Sequence, residues 1–192
     1  MFWWLDKQLR EIRGTPHYAI AELPEVTIGR IVGVAKPLDG KTAEAALSGR
    51  TCLAYMAKAV GSTGSSLGVE VATNFHGSSN KLDIAVDVGG VPFLVEDDTG
   101  VAIVDPAGAR GALGVDEKST WWKGPLERQE AFLARFGVNP GSWSVDCYEG
   151  IVSIGEKIAV VGFGQRVDGR LRMSSSPKLP LVICDNLATL KM

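Results

Sequence analysis

The sequence predicts a mainly β protein of the α+β class: a small barrel with an amphipathic helix at the N-terminus and one internal helix. Short runs of β-branched and other apolar residues recur along most of the 192 residues, as in a protein built from short strands. The 23 glycines fall mainly in clusters between these runs, where a β protein makes its turns. A hydrophobic fraction of 45% suffices for a buried core. We therefore expect a helix within residues 1–16 and one barrel domain over residues 17–192.

The first segment has the pattern of a short amphipathic helix over residues 2–13. One face of this helix collects the apolar side chains of Phe2, Trp3, Trp4, Leu5, Leu9 and Ile12. So short a helix is marginal alone in water, so something must cover its apolar face. Three interpretations remain open: an anchor in a membrane interface, a docking helix for a partner, or a helix packed on the chain's own barrel.

Strands are predicted from residue 26 onward by apolar runs that end in turn-forming residues. The predicted strands cover residues 27–34, 50–60, 81–88, 91–95, 101–104, 157–164 and 180–184. Gly89 and Gly90 separate two of these runs, which predicts a tight hairpin between residues 81–88 and residues 91–95.

The strand over residues 50–60 is expected to be continuous, with side chains alternating between its two faces. This alternation puts Cys52, Ala54 and Met56 on one face. Leu53 and Tyr55 then lie on the opposite face.

Residues 125–136 predict the internal helix, because Pro125 suits its first position and Gly137 its end. The expected apolar stripe consists of Leu126, Leu133 and Phe136, with Phe132 beside it. Immediately before the helix, Trp121 and Trp122 predict either a lid over the core or a platform that stacks bases or sugars.

The candidate nucleophiles and metal ligands form no recognisable catalytic pattern. Cys52, Cys147 and Cys184 are widely separated, with no Cys-x-x-Cys pair, and we expect buried free thiols. A catalytic pair of Cys52 or Cys147 with His76 is the alternative, and no spacing supports it. The sequence thus predicts no catalytic residue, no metal site and no cofactor.

Asp97 and Asp98 precede Thr99 and Gly100 ahead of an apolar strand, a combination that invites comparison with a calcium loop. The alternating acidic ligands and the distal glutamate of such a loop are absent from this sequence. The pattern instead predicts a solvated β-turn.

The charge balance limits which partners are expected. A formal net charge of −2 gives no general attraction to a phosphate backbone, so a nucleic-acid partner needs a local basic surface. The residues that would supply this surface are Arg50, Lys81, Trp121, Trp122 and Lys123.

The sequence contains no apolar run long enough to cross a membrane. Charged residues also interrupt the first segment, which argues against a signal peptide. We therefore expect a cytoplasmic protein that contacts the cytoplasmic face of a membrane, if it contacts one, through the N-terminal segment.

Three stretches of the chain, taken in order, resemble the GIDE domain, also called the BAM domain because it lies beside a membrane. They cover residues 47–55, residues 92–106 and residues 148–162. The match is carried by three short motifs: Ser48-Gly49-Arg50, Asp98-Thr99-Gly100 and Ile154-Gly155-Glu156. The motifs also look like the turns and strand starts of a small OB-type barrel, so the resemblance implies an OB-like fold across residues 23–186.

The GIDE domain occurs in mitochondrial RING-type ubiquitin ligases and in many prokaryotic proteins. Ligase activity in that family belongs to a zinc-binding RING, and this sequence has no Cys/His cluster that matches one. The resemblance therefore implies a prokaryotic-type domain without the RING: a non-catalytic interaction module, membrane-proximal, that recruits a protein partner. The alternative is an OB-type nucleic-acid or nucleotide-binding domain.

Overall fold

A computed structural model describes residues 10, 12–62, 81–113, 117–120, 126–139, 144–177 and 179–185. The described residues are 53% strand and 12% helix. The described strands are β1 (Thr27–Pro37), β2 (Ala43–Glu44), β3 (Thr51–Cys52), β4 (Ala54–Ser62), β5 (Lys81–Gly90), β6 (Phe93–Asp97), β7 (Gly100–Val104), β8 (Arg110–Ala112), β9 (Glu117–Thr120), β10 (Ser144–Val152), β11 (Lys157–Val167), β12 (Arg170–Ser174) and β13 (Val182–Cys184). The internal helix, α1, spans Leu126–Arg135, and a 3-10 turn, η1, spans Ile20–Glu22.

Five of these strands close into a barrel in the order β1-β6-β7-β12-β11, and β11 pairs back with β1 over residues 27–34. Strands β7 and β12 run parallel, whereas the other neighbours in the ring are antiparallel. The five barrel strands follow each other in the chain as β1, β6, β7, β11 and β12. The first three form a meander, β7 pairs with β12, and β11 closes the barrel on β1. This is the strand order of an OB barrel, so the predicted mainly β, OB-like fold is confirmed.

The barrel core is formed by the inward side chains of alternate strand residues. Ile31 of β1, Phe93 and Val95 of β6, and Val104 of β7 are completely buried there. Because successive strand residues point to opposite faces, the residues between them lie on the outer surface of the barrel.

An N-terminal strap, residues 16–23, closes one part of this core. It runs beside β1, where the Tyr18 amide donates to the Arg30 carbonyl over 2.9 Å. The side chain of Leu23 enters the barrel and lies on Gly29 and Gly164, where a Cβ atom on either glycine would collide with it. These two glycines therefore provide the space that the strap fills.

The second sheet has the order β5-β4-β10-β9 and is antiparallel throughout. Helix α1 packs on it through Phe132 and Leu133, which contact buried side chains such as Cys147. At the C-terminal end of α1, Arg135 binds Asp87 of β5 over 3.1 Å. The three cysteines are buried thiols that form no disulfide, as predicted.

The predicted hairpin between residues 81–88 and 91–95 is wrong. Strand β5 continues through Gly89 and Gly90 and pairs with β4, whereas β6 pairs with β1 and β7. The glycines serve close packing instead of a turn, because a Cβ atom on Gly90 would lie 2.4 Å from the Leu53 carbonyl oxygen. Strand β5 therefore belongs to the second sheet and β6 to the barrel.

The predicted faces of residues 50–60 are also wrong, because the strand is interrupted at Leu53. Leu53, Ala54 and Met56 all contribute to the barrel core. Cys52 and Tyr55, which were expected on opposite faces, pack in the same cluster with Ile151. The interruption thus anchors the second sheet in the barrel core.

The internal helix is confirmed, but its buried stripe is shifted. Gln129, Phe132 and Leu133 are buried, whereas Phe136 lies beyond the last helical residue and is 40% exposed. Positions 129, 132 and 133 have the spacing of one helix face, which explains why they share contact with the sheet.

Candidate binding face

The outer surface of β6 and β7, together with its borders on β1 and β12, is the counterpart of the surface through which OB barrels bind ligands. OB barrels bind ligands mainly on this face and on the adjoining loops. We call it the β6–β7 face and define it by Lys36, Leu94, Glu96, Val101, Ile103, Arg170 and Arg172.

The register of the sheet orders these side chains into rows across four strands. One row runs from Lys36 through Leu94 and Ile103 to Arg172. The adjacent row contains Glu96 opposite Val101. Because neighbouring strands lie about 4.8 Å apart, the first row is about 14 Å long. Its aliphatic centre therefore has a cation at each end.

The two ends of this row differ in electrostatic state. The Lys36 ammonium binds the Glu96 carboxylate over 2.6 Å, so that end is close to neutral. Arg170 and Arg172 are exposed and form no ion pair with any residue of the chain that the structure describes. The β12 side of the face therefore carries uncompensated positive charge.

On the β1 side, the face continues into an open groove of about 450 Å³. The groove is lined by apolar residues of β1 and by charged residues of both signs: Val32, Val34, Glu96, Asp97, Asp98 and Lys157. It is too open and too mixed in charge to resemble an enclosed catalytic pocket.

Asp97 connects the end of the face with the strap. Its Oδ2 accepts the Ile20 amide over 2.9 Å, and its Oδ1 accepts the amides of Thr99 and Gly100. Burial alone raises the pKa of Asp97, but the hydrogen bonds from Thr99, Ile20 and Gly100 outweigh burial, so its pKa is lowered. Residues 98 and 99 form a turn between β6 and β7, so the predicted β-turn is confirmed.

His17 of the strap forms an isolated bridge with Arg30 of β1. Arg30 is 2% exposed, and its Nε and Nη1 atoms have no hydrogen-bond partner among the described residues. Burial lowers the pKa of His17, and the positive charge of Arg30 lowers it further, against a smaller opposing effect of Asp97. A second positive charge is therefore disfavoured at this position.

The thiols do not have the electrostatics of nucleophiles. Burial raises the pKa of Cys52 to about 11, and the charge of Glu149 acts in the same direction. Burial also raises the pKa of Cys147 to about 11, with a contribution from Asp146. Such thiols remain protonated and unreactive at neutral pH. Their proposed partner His76 lies outside the described residues.

Acidic, histidine and cysteine side chains also fail to assemble into a metal site in the part that the structure describes. Of the sequence-based candidates for ligand binding, Arg50 is not part of the β6–β7 face. Arg50 lies on the turn before β3, where its Nε donates to the Ser48 hydroxyl over 3.3 Å. Trp121, Trp122 and Lys123 lie outside the described residues, in the connection from β9 to α1.

The candidate membrane or partner contacts Phe2, Trp3, Trp4, Leu5 and Leu9 also lie outside the described residues. The turn that follows them, at residues 12–14, is helical as predicted. Ile12 is buried against Val161 and Val182 on the outer wall of the barrel. For this last turn, packing on the chain's own barrel is therefore the correct interpretation.

The residues of the β6–β7 face are not among the sequence-based candidates. Their signal was the strict alternation of strand residues. Arg172 stands between the buried Leu171 and Met173, which already indicates an outward side chain. Leu94 carries no comparable signal, because it lies in an apolar run whose orientation depends on the pairing with β1.

Fold and face together define a protein of the OB-like barrel class with a second, helix-backed sheet and an outer barrel face suited to binding. Comparison of the chain with protein-family models, with curated proteins and with solved structures finds no match. Within the described ranges, no helix combines the length and the apolar character needed to cross a membrane.

We expect Asp97→Asn to lower the free energy of unfolding by about 1–2 kcal/mol, because an amide provides one acceptor oxygen where the carboxylate provides two. Urea denaturation measures the change. Asp98→Asn is the matched control, since Asp98 is exposed in the same turn, and should change stability by less than about 0.5 kcal/mol. Equal effects of the two substitutions would show that Asp97 does not hold the strap.

We expect His17 to make stability depend on pH. Its pKa is lowered in the folded state, so the unfolded chain takes up the proton first as the pH falls below about 6.5. The folded state should therefore lose stability below that pH, and His17→Gln should remove this loss. Denaturation of both proteins at pH 8 and pH 5 measures it; an equal acid-induced loss in both would contradict the assignment.

Proposed function

We propose that this chain is a non-catalytic binding module whose OB-like barrel recruits a protein partner through the β6–β7 face. One observation carries the proposal: aliphatic side chains lie on the outer side of a closed barrel, next to Arg170 and Arg172, which form no ion pair with the described residues. Val101 is 42% exposed, the adjoining Leu94 is half-buried, and Ile103 beneath them is 9% exposed. Aliphatic groups beside arginine are a usual composition for a protein interface.

The choice of a protein over a nucleic acid rests on the side chains of the face. Sequence-independent single-strand binders stack bases on aromatic rings, and the β6–β7 face contains aliphatic side chains instead. Nucleic-acid binding remains the second candidate because the free arginines Arg170 and Arg172 lie on the surface that OB barrels use for oligonucleotides.

The resemblance to the GIDE domain supports a scaffold role for the three matching stretches. Glu149, from the third stretch, is buried, and its carboxylate accepts the amides of Leu47 and Ser48 over 2.6 and 3.1 Å. The first and the third stretch are thus joined by these two hydrogen bonds. The proposal includes no ubiquitin-ligase activity, because that activity belongs to a RING and not to this barrel.

A membrane-proximal location, at the cytoplasmic face, forms part of the proposal. Phe2, Trp3, Trp4 and Leu5 are the candidate contacts, supported by the amphipathic pattern and by the resemblance. Ile12 packs against Val161 of β11 and Val182 of β13. The aromatic residues precede Ile12 by eight to ten positions in the sequence.

We expect a photo-crosslinking amino acid at position 101 to capture a specific protein in cells that express the chain. The same replacement at Val86 is the matched control, because this valine is 48% exposed on β5 of the second sheet. Mass spectrometry should find an adduct at position 101 and none at position 86. An excess of the same chain without the photo-crosslinking residue should suppress the adduct. An equal excess of the Val101→Glu chain should not.

An adduct at position 101 with RNA or DNA in place of protein would contradict the proposal. The same holds for high-affinity binding of a fluorescent single-stranded oligonucleotide whose affinity falls steeply with added salt. These outcomes favour the second candidate instead.

For the membrane contact, we expect the full chain to float with anionic vesicles in a density gradient. Removal of residues 2–9 should reduce the floated fraction severalfold, because indole and aliphatic groups supply the apolar contact. This deletion retains the buried Ile12, so the barrel keeps its packing. Flotation equal to that of the full chain would disprove a membrane contact through this segment.

A further inference from the structure

We propose that the β6–β7 face selects a particular chemistry: an extended segment of the partner in which every second residue faces the barrel, and these facing residues are in turn aliphatic and acidic. This inference rests on the proposed function and adds the class of ligand. It follows from the uneven charge of the face and from the spacing of its rows.

The charge of the face favours carboxylates on its β12 side. Glu96 already compensates Lys36 at 2.6 Å, so a ligand group at that end meets a neutral pair. Arg170 and Arg172 have no such partner in the described structure. A carboxylate offers a guanidinium two parallel hydrogen bonds, which a neutral amide or hydroxyl does not match. A basic segment would meet repulsion at the same place.

The spacing of the face favours an extended chain. From the midpoint between Leu94 and Ile103 to Arg172, the row covers one and a half strand spacings, or about 7 Å. In an extended segment, side chains on the same side repeat every two residues, or about 6.8 Å. An aliphatic side chain over Leu94 and Ile103 therefore places the acidic side chain two residues away at Arg172.

The probe is a set of four short synthetic peptides in which serine occupies every second position and the positions between carry two residues in turn: glutamate with leucine, glutamine with leucine, lysine with leucine, and glutamate with serine. Methyl NMR spectra of the full chain report binding through Leu94, Val101 and Ile103. We expect the glutamate–leucine peptide to shift these methyl signals. Binding should be about fivefold weaker with glutamine and also weaker with serine, and lost with lysine.

Charge reversal tests the arginine directly. Arg172→Glu should weaken binding of the glutamate–leucine peptide about tenfold and permit binding of the lysine–leucine peptide. Arg13→Glu is the control, because Arg13 is an exposed arginine on the N-terminal helical turn, away from the face. Thermal melting of both variants verifies that they fold like the parent protein.

Equal binding of the glutamate–leucine and glutamine–leucine peptides would overturn the inference and leave the proposed protein-binding function intact. So would an unchanged affinity in the Arg172→Glu protein. If none of the peptides shifts the face methyl signals, the inference is also wrong, and cross-linking at position 101 decides the proposed function separately.

Discussion

The pairing of β1 with β11 is the constraint on which the rest of the structure depends. It joins eight residue pairs, from Thr27 opposite Gly164 to Val34 opposite Lys157, and converts an open meander into a closed barrel. In the closed barrel, the inward side chains of β6 and β7 form the core. The residues between them therefore lie on the outer surface of the barrel. The outer aliphatic patch and the inner space that the strap fills are therefore two results of the same closure.

The positions of most strands were predictable because they depend on local alternation and on turn residues. Their partners were not, because pairing is decided by residues distant in the chain. Gly89 and Gly90 illustrate the difference: a pair of glycines permits a tight turn, but it equally permits the close approach of another backbone. At Leu53 a single interruption moved Cys52 and Tyr55 to the same side, which no periodic pattern anticipates.

The candidate site was harder to predict than the fold. Arg50 and the tryptophan pair were candidates because charged and aromatic residues are conspicuous in a sequence. Arg50, however, stabilises a turn, because its amide and its Nε both donate to the Ser48 hydroxyl. The residues of the face are ordinary aliphatic and charged strand residues. Their importance comes from the register that aligns Leu94, Ile103 and Arg172 across three strands, and a register is a property of the whole barrel.

The second sheet interrupts the barrel in the chain, and this has a consequence for folding. β1 ends at Pro37 and β6 begins at Phe93, yet these two residues are direct partners. Such non-local pairing is slow, because the entropy of closing a long loop is lost before the contacts form. Strands β4 and β5 lie within this loop and pair with each other. Their early assembly would bring Pro37 and Phe93 together and shorten the loop that the barrel has to close.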